Sequence, residues 1–232
     1  MEAIVLAGGL GTRLQGVIGT EQPKCMAPVN NAPFLSYLFT YLDKYCTRVM
    51  LSLGYKNKAV IEWLDGQDVG FEVDYVIEQE PLGTGGGILA AIEDAETDDV
   101  VVVNGDTMFN INLREIMAFH RKQKAEVTLA LKPMENFDRY GIVRPGANNV
   151  ISSFEEKKPT DKGLINGGVY VINREAFLAR PLKGKFSFEK DYLEQYVKDG
   201  KFFGFESDAY FIDIGVPADY EKAQADFKTL FA

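Results

Sequence analysis

After Glu2 the chain opens on an unbroken apolar run, residues 2–7 (EAIVLA), the pattern of a strand buried on both faces. Phe34, Leu35, Leu38, Tyr41, Leu42 and Tyr45 then recur at helical spacing, which predicts an amphipathic helix over 33–45. The pattern next predicts a strand over 48–53, a helix over 58–64, a strand over 73–77, a helix over 85–94 and a strand over 100–103. Such an alternation implies a parallel sheet with right-handed crossovers. Beyond residue 105 the rhythm loosens. A helix (113–124) and a strand (126–131) precede two short alternating segments, 141–144 and 150–154. A strand at 168–172, a helix over about 188–198, strands at 202–206 and 210–214 and a last helix at 217–230 complete the chain. The expected fold class is α/β, a single Rossmann-like domain over 1–232 with a mixed sheet flanked by helices. Ligands of such sheets sit beyond the carboxyl ends of the strands, so chemistry is sought in the loops that follow them.

Composition narrows the choices. The chain has 232 residues, 46% hydrophobic and 25% charged, enough for one large core. No apolar run approaches the roughly 20 residues of a membrane span. The start lacks a basic flank and is read as a strand, not a signal peptide, so the expected location is cytoplasmic. Without that signal, the two cysteines, Cys25 and Cys46, are expected to be reduced. The one histidine, His120, sits among Arg121, Lys122 and Lys124 and is expected to be solvated or half-buried; it rules out a multi-histidine metal site. A net charge of −9 gives no general attraction to nucleic acid or an anionic membrane.

Leu6-Ala7-Gly8-Gly9-Leu10-Gly11-Thr12-Arg13-Leu14 follows the first strand directly. Its glycines allow a tight turn with N–H groups aimed at an anion, although a plain strand-to-helix turn would also use them. A P-loop is excluded, because no Gly-Lys-Ser/Thr ends the loop. A dinucleotide fingerprint is excluded by Leu14 and by Leu53-Gly54 where an acid is required. Arg13 and Lys24 stand close by, and the prolines of Pro23-Lys24-Cys25-Met26-Ala27-Pro28 argue for an extended Lys24 segment. Val100–Val103 leads to Asn104-Gly105-Asp106, and Tyr210-Phe211-Ile212 leads to Asp213-Ile214-Gly215. Two aspartates at strand ends can share one Mg²⁺, although either alone can merely cap a turn.

The glycine loop with Pro23-Lys24 resembles the signature of the sugar-phosphate nucleotidyltransferases, and the resemblance extends over nearly the whole chain. It implies transfer of a nucleoside monophosphate from an NTP to a sugar 1-phosphate, with a nucleotide-binding part at about 1–110 and a sugar-phosphate part at about 111–232. Many relatives add a C-terminal β-helix, which is not expected here. The resemblance implies that Leu6, Ala7, Gly8, Gly9, Gly11 and Thr12 wrap the nucleotide phosphates and that Arg13 and Lys24 bind them. It assigns Asp106 and Asp213 to the catalytic Mg²⁺. Cys25 departs from the usual proline after the lysine. Glu78-Gln79-Glu80-Pro81-Leu82-Gly83-Thr84 is similar to the base-reading loop, with Glu78, Gly83 and Thr84 on the nucleotide. A carboxylate there suits the adjacent donors of guanine, and spacing leaves Glu78 and Glu80 both open.

On the sugar side, Phe154-Glu155-Glu156-Lys157-Lys158-Pro159 resembles a family segment with one extra residue. Anchoring on Phe154 assigns Glu156 to sugar hydroxyls and Lys157 to the sugar phosphate, with Lys158 as competitor. Asn166-Gly167-Gly168-Val169-Tyr170 and Tyr140-Gly141 resemble further sugar-binding elements, with Asn166, Gly168, Tyr140 and Gly141 in contact. Lys190 of Ser187-Phe188-Glu189-Lys190-Asp191 could reach the sugar phosphate. Together these motifs look most like the branch that joins GTP to D-glycero-α-D-manno-heptose 1-phosphate. Other guanylyl or uridylyl acceptors remain the alternatives, and a homodimer is compatible with the chain. A glycosyltransferase would want Asp-x-Asp where Asp106-Thr107-Met108 stands. A non-catalytic binding module would not need both aspartates.

Overall fold

Along β1 (Glu2–Leu6), Ala3 and Val5 enter one hydrophobic layer and Ile4 the other. This is the double burial that the apolar run predicts. The computed structural model describes residues 1–9, 14, 16, 19, 22–54, 56–199 and 201–231. The expected loop residues Gly11, Thr12 and Arg13 lie outside them.

After β1 come a small hairpin, β2 (Pro28–Val29) and β3 (Ala32–Pro33), then α1 (Phe34–Leu42) and β4 (Arg48–Leu53). They are followed by α2 (Asn57–Leu64), β5 (Glu72–Ile77), α3 (Gly83–Ile92) and β6 (Asp99–Asn104). β5, β4, β1 and β6 lie side by side in that order, each neighbouring pair parallel. The chain thus builds outward from β1 to one edge and returns to its other side. That reversal opens a crevice beyond the carboxyl ends of β1 and β6.

The second half contains β7 (Thr107–Phe109), α4 (Leu113–Gln123), β8 (Val127–Phe137), β9 (Ile142–Pro145), β10 (Ile151–Glu155) and β11 (Thr160–Asn173). Next are α5 (Arg174–Leu178), a π-helical segment (Phe188–Glu194), β12 (Phe202–Glu206), β13 (Phe211–Asp213) and α6 (Pro217–Leu230). β11 joins the parallel strands antiparallel to β6, and β8 and β12 widen the sheet beyond it. The sheet is therefore mixed, Rossmann-like and covered on both faces. One face packs on α1, α4 and α6 through Leu35, Leu38, Ile116, Met117, Ala223 and Phe227. The other packs on α3 and the π-helical segment through Ile88, Ala91, Ile92, Phe188, Tyr192 and Leu193. Among the described residues no helix is long and apolar enough to cross a membrane.

Four expectations are corrected. β8 and β11 run well past 126–131 and 168–172. Their outer halves pair as a ribbon, Glu135 opposite Lys162 and Phe137 opposite Thr160, with mostly polar, partly exposed residues that give no apolar signal. Lys24 is not extended: Lys24–Met26 is one turn of 3₁₀ helix, with Met26 N–H donating to Pro23 O at 2.9 Å. Pro23 precedes that turn, where its missing N–H costs nothing. The β2–β3 hairpin turns through Asn30 (φ 47) and Asn31 (φ 68), left-handed positions that asparagine tolerates. His120 is neither solvated nor half-buried, with only 1% of its surface exposed.

His120 belongs to a buried polar knot that ties α4 to the sheet. Its Nδ1 is 2.9 Å from Thr128 Oγ1 and its Nε2 lies 3.4 Å from Asp99 Oδ1. Asp99 also accepts from Arg121 Nε at 2.9 Å and Asn173 Nδ2 at 3.1 Å. These donors, His120 first, hold the Asp99 carboxyl well below the usual carboxylate range. A group whose folded pKa is depressed stabilises the fold above its unfolded pKa and loses that contribution as pH falls. Asp99→Asn is therefore expected to lower the unfolding free energy by about 1–3 kcal/mol at neutral pH. In urea titrations the gap to wild type should persist down to about pH 4 and close below it. A gap unchanged at pH 2.5 to 3 (roughly one unit below the unfolded value) would contradict the assignment.

Candidate functional site

Two short strands bring the distant aspartates together. β7 and β13 pair antiparallel, with Thr107 opposite Asp213, and Ile214 N–H donates to Asp106 O at 3.0 Å. Lys24 reaches in from its 3₁₀ turn and places its ammonium against both carboxylates, 2.5 Å from Asp106 Oδ2 and 3.3 Å from Asp213 Oδ1. The lysine side chain is only 11% exposed, the aspartates 33% and 27%, so the cluster opens to solvent through its acids. Thr107 Oγ1 donates to Asp106 Oδ1 at 3.1 Å, and Gly215 N–H donates to Asp213 Oδ1 at 2.8 Å. A Cβ at Gly215 would stand 2.8 Å from both Asp213 Oδ1 and Lys24 Nζ, so a side chain there would displace the cluster.

The donor set suits a hard divalent cation. Two carboxylates converge on a position that already attracts a positive group, and Mg²⁺ commonly takes one or two carboxylates and fills the rest with water and phosphate oxygens. Among the described residues no cluster of three or more His, Cys, Asp or Glu side chains is available to replace them.

The start of the glycine loop lies beside this cluster. Gly105 N–H donates to Leu6 O at 2.9 Å, and a Cβ on Gly105 would stand 2.7 Å from that oxygen. Ala7 is buried, while Gly8 and Gly9 become progressively open. Gly54, the residue that breaks the dinucleotide fingerprint, crosses Gly8 so closely that its Cβ would lie 2.8 Å from Gly8 O.

Glu78 and Glu80, open alternatives by spacing, occupy different settings. Glu78 Oε1 accepts from Ser52 Oγ at 3.1 Å and Oε2 from Leu82 N–H at 2.9 Å, beside Gly8 and Gly87. Glu80 is exposed on the rim of a neighbouring surface groove. Gly83 has φ 73, and its Cβ would meet Phe186 O at 2.6 Å; Gly85 N–H donates to the same oxygen at 3.0 Å. Thr84, expected on the nucleotide, lines a cavity beside this turn. Its hydroxyl donates to Glu189 Oε2 at 2.7 Å and accepts from Phe188 N–H at 2.9 Å.

That cavity, about 550 Å³, is bordered by Thr107 and Asp213 and extends beneath β9 and the π-helical segment. It gathers Tyr140, Gly141, Glu156, Lys157, Asn166, Gly168 and Lys190, all the expected sugar-side residues. Lys158 pairs with Glu155 at 2.8 Å and does not line it, which separates it from Lys157. Asn166 donates to Tyr170 Oη at 2.7 Å and accepts from Gly168 N–H at 3.0 Å. Gly168 has φ 71 within the bulge of β11, and a Cβ there would lie 2.7 Å from Asn104 Nδ2. Glu156 and Lys190 stand at the mouth, 3.8 Å apart and largely exposed.

Sequence reasoning missed Arg139, Asn104, Thr107, Phe211 and Glu189 on this lining. Arg139 Nη2 donates to Tyr140 Oη at 3.0 Å and pairs with Asp219 of α6. Burial pushes the Tyr140 hydroxyl up, and the charge of Asp213 adds to it. Arg139 directly precedes Tyr140-Gly141, a position from which it could have been suspected. Asn104, Thr107, Phe211 and Glu189 stand within the quoted segments, but nothing in those segments gives them a role.

The sequence profile of the nucleotidyl transferase family matches residues 2–229. The chain is 49% identical to a D-glycero-α-D-manno-heptose 1-phosphate guanylyltransferase of Aneurinibacillus thermoaerophilus, over 98% of this chain and 99% of that protein. It is 42% identical to the protein of that name from Campylobacter jejuni, over 95% and 97%. Among solved structures, HddC from Yersinia pseudotuberculosis superposes with a TM-score of 0.88 at 36% identity, covering 97% of this chain and 99% of that one. HddC has also been solved in complex with GMP-PN, with the same agreement.

Both cysteines are free and buried. Burial, reinforced at Cys25 by the charge of Asp106, pushes each thiol up to about 12. The native protein at about pH 8, far below those values, should resist iodoacetamide, and the denatured chain should alkylate at both sites. Intact-mass measurement checks this, and rapid labelling of native Cys25 would contradict the packing beside Lys24.

Proposed function

The chain belongs to the sugar-phosphate nucleotidyltransferases, enzymes acting on a sugar 1-phosphate, and we propose that it transfers GMP from GTP to D-glycero-α-D-manno-heptose 1-phosphate, giving GDP-heptose and pyrophosphate. The observation that carries this reading is the convergence of Asp106, Asp213 and Lys24 at one end of a cavity lined for a polar acceptor. The guanylyl and heptose assignments draw support from the two named relatives and from the GMP-PN complex of HddC.

In this reading an oxygen of the sugar phosphate attacks the α-phosphorus of GTP. A new O–P bond forms as the bond to the β-phosphate oxygen breaks, and the electron pair leaves on pyrophosphate. The phosphate nucleophile is already ionised near neutral pH, so no side chain must remove a proton. What the reaction requires is alignment and positive charge between two polyanions. Asp106 and Asp213 would hold Mg²⁺, which when bound offsets charge on the phosphates and orients them. Lys24 is placed to exchange its carboxylate partners for phosphate oxygens as these arrive. Arg13, which lies outside the described residues, keeps the phosphate-binding role implied by its motif. Tyr140, Asn166 and the Gly168 turn form the acceptor wall, with Lys157 and Lys190 placed for its phosphate.

For the base, Glu78 is the better reader. It is fixed by Ser52 and Leu82 while each of its oxygens keeps a further lone pair, whereas Glu80 is exposed and among the described residues no hydrogen bond holds it. Glu78→Gln should reduce the preference for GTP over UTP in kcat/KM by roughly tenfold or more, and Glu80→Gln should not. The reverse outcome would move the role to Glu80.

The direct test is pyrophosphate release from GTP with heptose 1-phosphate, compared with UTP, CTP and dTTP and with hexose 1-phosphates. Asp106→Asn and Asp213→Asn should each lower kcat by roughly a hundredfold or more while the melting temperature holds. Near-normal Mg²⁺-dependent turnover in either variant would remove the metal assignment.

A further inference from the structure

Glu189 is a carboxylate fixed by hydroxyls on the acceptor cavity, and the sequence motifs leave it without a role. It sits at the start of the π-helical segment, and such widened turns occur often at functional sites. Two hydroxyls hold its Oε2: Thr84 Oγ1 at 2.7 Å and Ser187 Oγ at 3.0 Å. Among the described residues no hydrogen bond occupies Oε1, and the side chain lines the cavity. Its charge also reaches the buried Tyr170 hydroxyl, which accepts from Asn166 and keeps its own proton to donate. Glu156, the carboxylate that the motif assigns to sugar hydroxyls, is 80% exposed and among the described residues pairs only with Lys190, at 3.8 Å.

These settings are not equivalent for recognition. A carboxylate free in water must be desolvated and immobilised when it binds, whereas one already fixed forfeits little. A fixed carboxylate with one saturated oxygen can accept an O–H donor only through the other, which makes it directional. We infer that Glu189 determines acceptor specificity by accepting a hydrogen bond from a hydroxyl of the sugar through Oε1, with Thr84 and Ser187 as its positioning residues. The inference rests on the proposed reading of the cavity as the acceptor site.

Thr84 is the first-turn residue of α3, next to the Gly83 turn of the base-reading segment. Its bond to Glu189 joins that turn to the acceptor wall. The joint is tight, because a Cβ on Gly85 would lie 2.1 Å from the Phe186 ring and one on Gly86 would lie 2.4 Å from Gly184 O. Glu189 is therefore held from two sides, by its own segment and by α3.

Calorimetric binding of D-glycero-α-D-manno-heptose 1-phosphate, mannose 1-phosphate and GTP tests the assignment without requiring turnover. Glu189→Gln keeps an oxygen for Thr84 and Ser187 and loses the charged acceptor. It should weaken the heptose phosphate about tenfold or more and leave GTP affinity and the melting temperature near wild type. Thr84→Val should weaken the same ligand, and Thr84→Ser, which retains the hydroxyl, should restore it. Among singly deoxygenated mannose 1-phosphates, one should lose affinity for wild type and lose nothing further in Glu189→Gln. Equal sugar-phosphate affinity in wild type and Glu189→Gln, or equal losses for GTP and sugar phosphate, would overturn the role of Glu189 while leaving the proposed reaction intact. A wild-type protein that binds GTP and neither sugar phosphate would overturn the acceptor reading and this inference together.

Discussion

Two ionised carboxylates held side by side in a partly closed site repel one another unless a cation lies between them, and here Lys24 is that cation. Like charges about 4 Å apart repel by about 4 kcal/mol at an effective dielectric near 20. The Lys24 ammonium turns this repulsion into two attractive contacts and joins three distant parts of the chain: the turn after the glycine loop, the end of β6 and the end of β13. Removing Lys24 would leave two uncompensated carboxylates, whereas removing either carboxylate leaves a matched pair, so the arrangement depends on the lysine before any ligand binds. The same geometry makes the cluster an exchangeable site. A stronger cation can take the carboxylates, and the released ammonium remains within reach of an incoming anion.

Around that cluster the backbone approaches itself too closely for side chains. Gly105 passes over Leu6 O, Gly8 and Gly54 cross, and Gly215 leaves space for the Lys24 ammonium. These contacts occur where β1, β4 and β6 end together, because their parallel register places Leu6 beside both Ser52 and Asn104. The topology thus supplies the crevice, and the glycines bring main chain rather than side chain to its floor. This also explains how a chain of net charge −9 can suit anionic substrates. The relevant field is local, set by a few cations and backbone N–H groups at close range, because distant surface charges are screened over about 8–10 Å.

The legible parts of the fold were those in which apolar residues fill an element or line one face of it. β1, β4, β6 and α1 follow directly from their apolar spacing, and the mixed sheet follows from their order with the looser second half. The outer ribbon of β8 and β11 was not legible, since residues such as Glu135 and Lys162 face water and pair through backbone and a surface ion pair, with no apolar alternation to mark them. Lys24 was placed near the loop correctly but in the wrong conformation, because prolines at the ends of a segment do not forbid a single 3₁₀ turn inside it. The candidate site was legible as groupings: Asp106 and Asp213, marked by motifs, meet at one lysine, and the expected sugar-side residues line one cavity. Arg139 and Glu189 were not, because their surroundings come from contacts with Asp219 and Thr84, far away in sequence.

Thr84 shows what such remote contacts add. As one residue of a base-reading motif it belongs to the nucleotide side, yet its hydroxyl bonds to Glu189 and to Phe188 N–H on the acceptor side. The adjoining glycines of α3 exist at that spacing because Phe186 and Gly184 pack against them, a reason independent of phosphate or base contact. A glycine cluster at a helix start therefore carries two requirements here: a left-handed Gly83 that directs the preceding loop, and a smooth surface on which the acceptor wall is seated. Substituting Gly85 would drive a methyl group into the Phe186 ring and disturb the cavity wall first, even though its motif resembles a base-reading loop. The loop that carries Glu78 and the cavity wall that carries Glu189 are set relative to one another at this joint, through the packing of Gly83, Gly85 and Gly86 on Phe186 and Gly184.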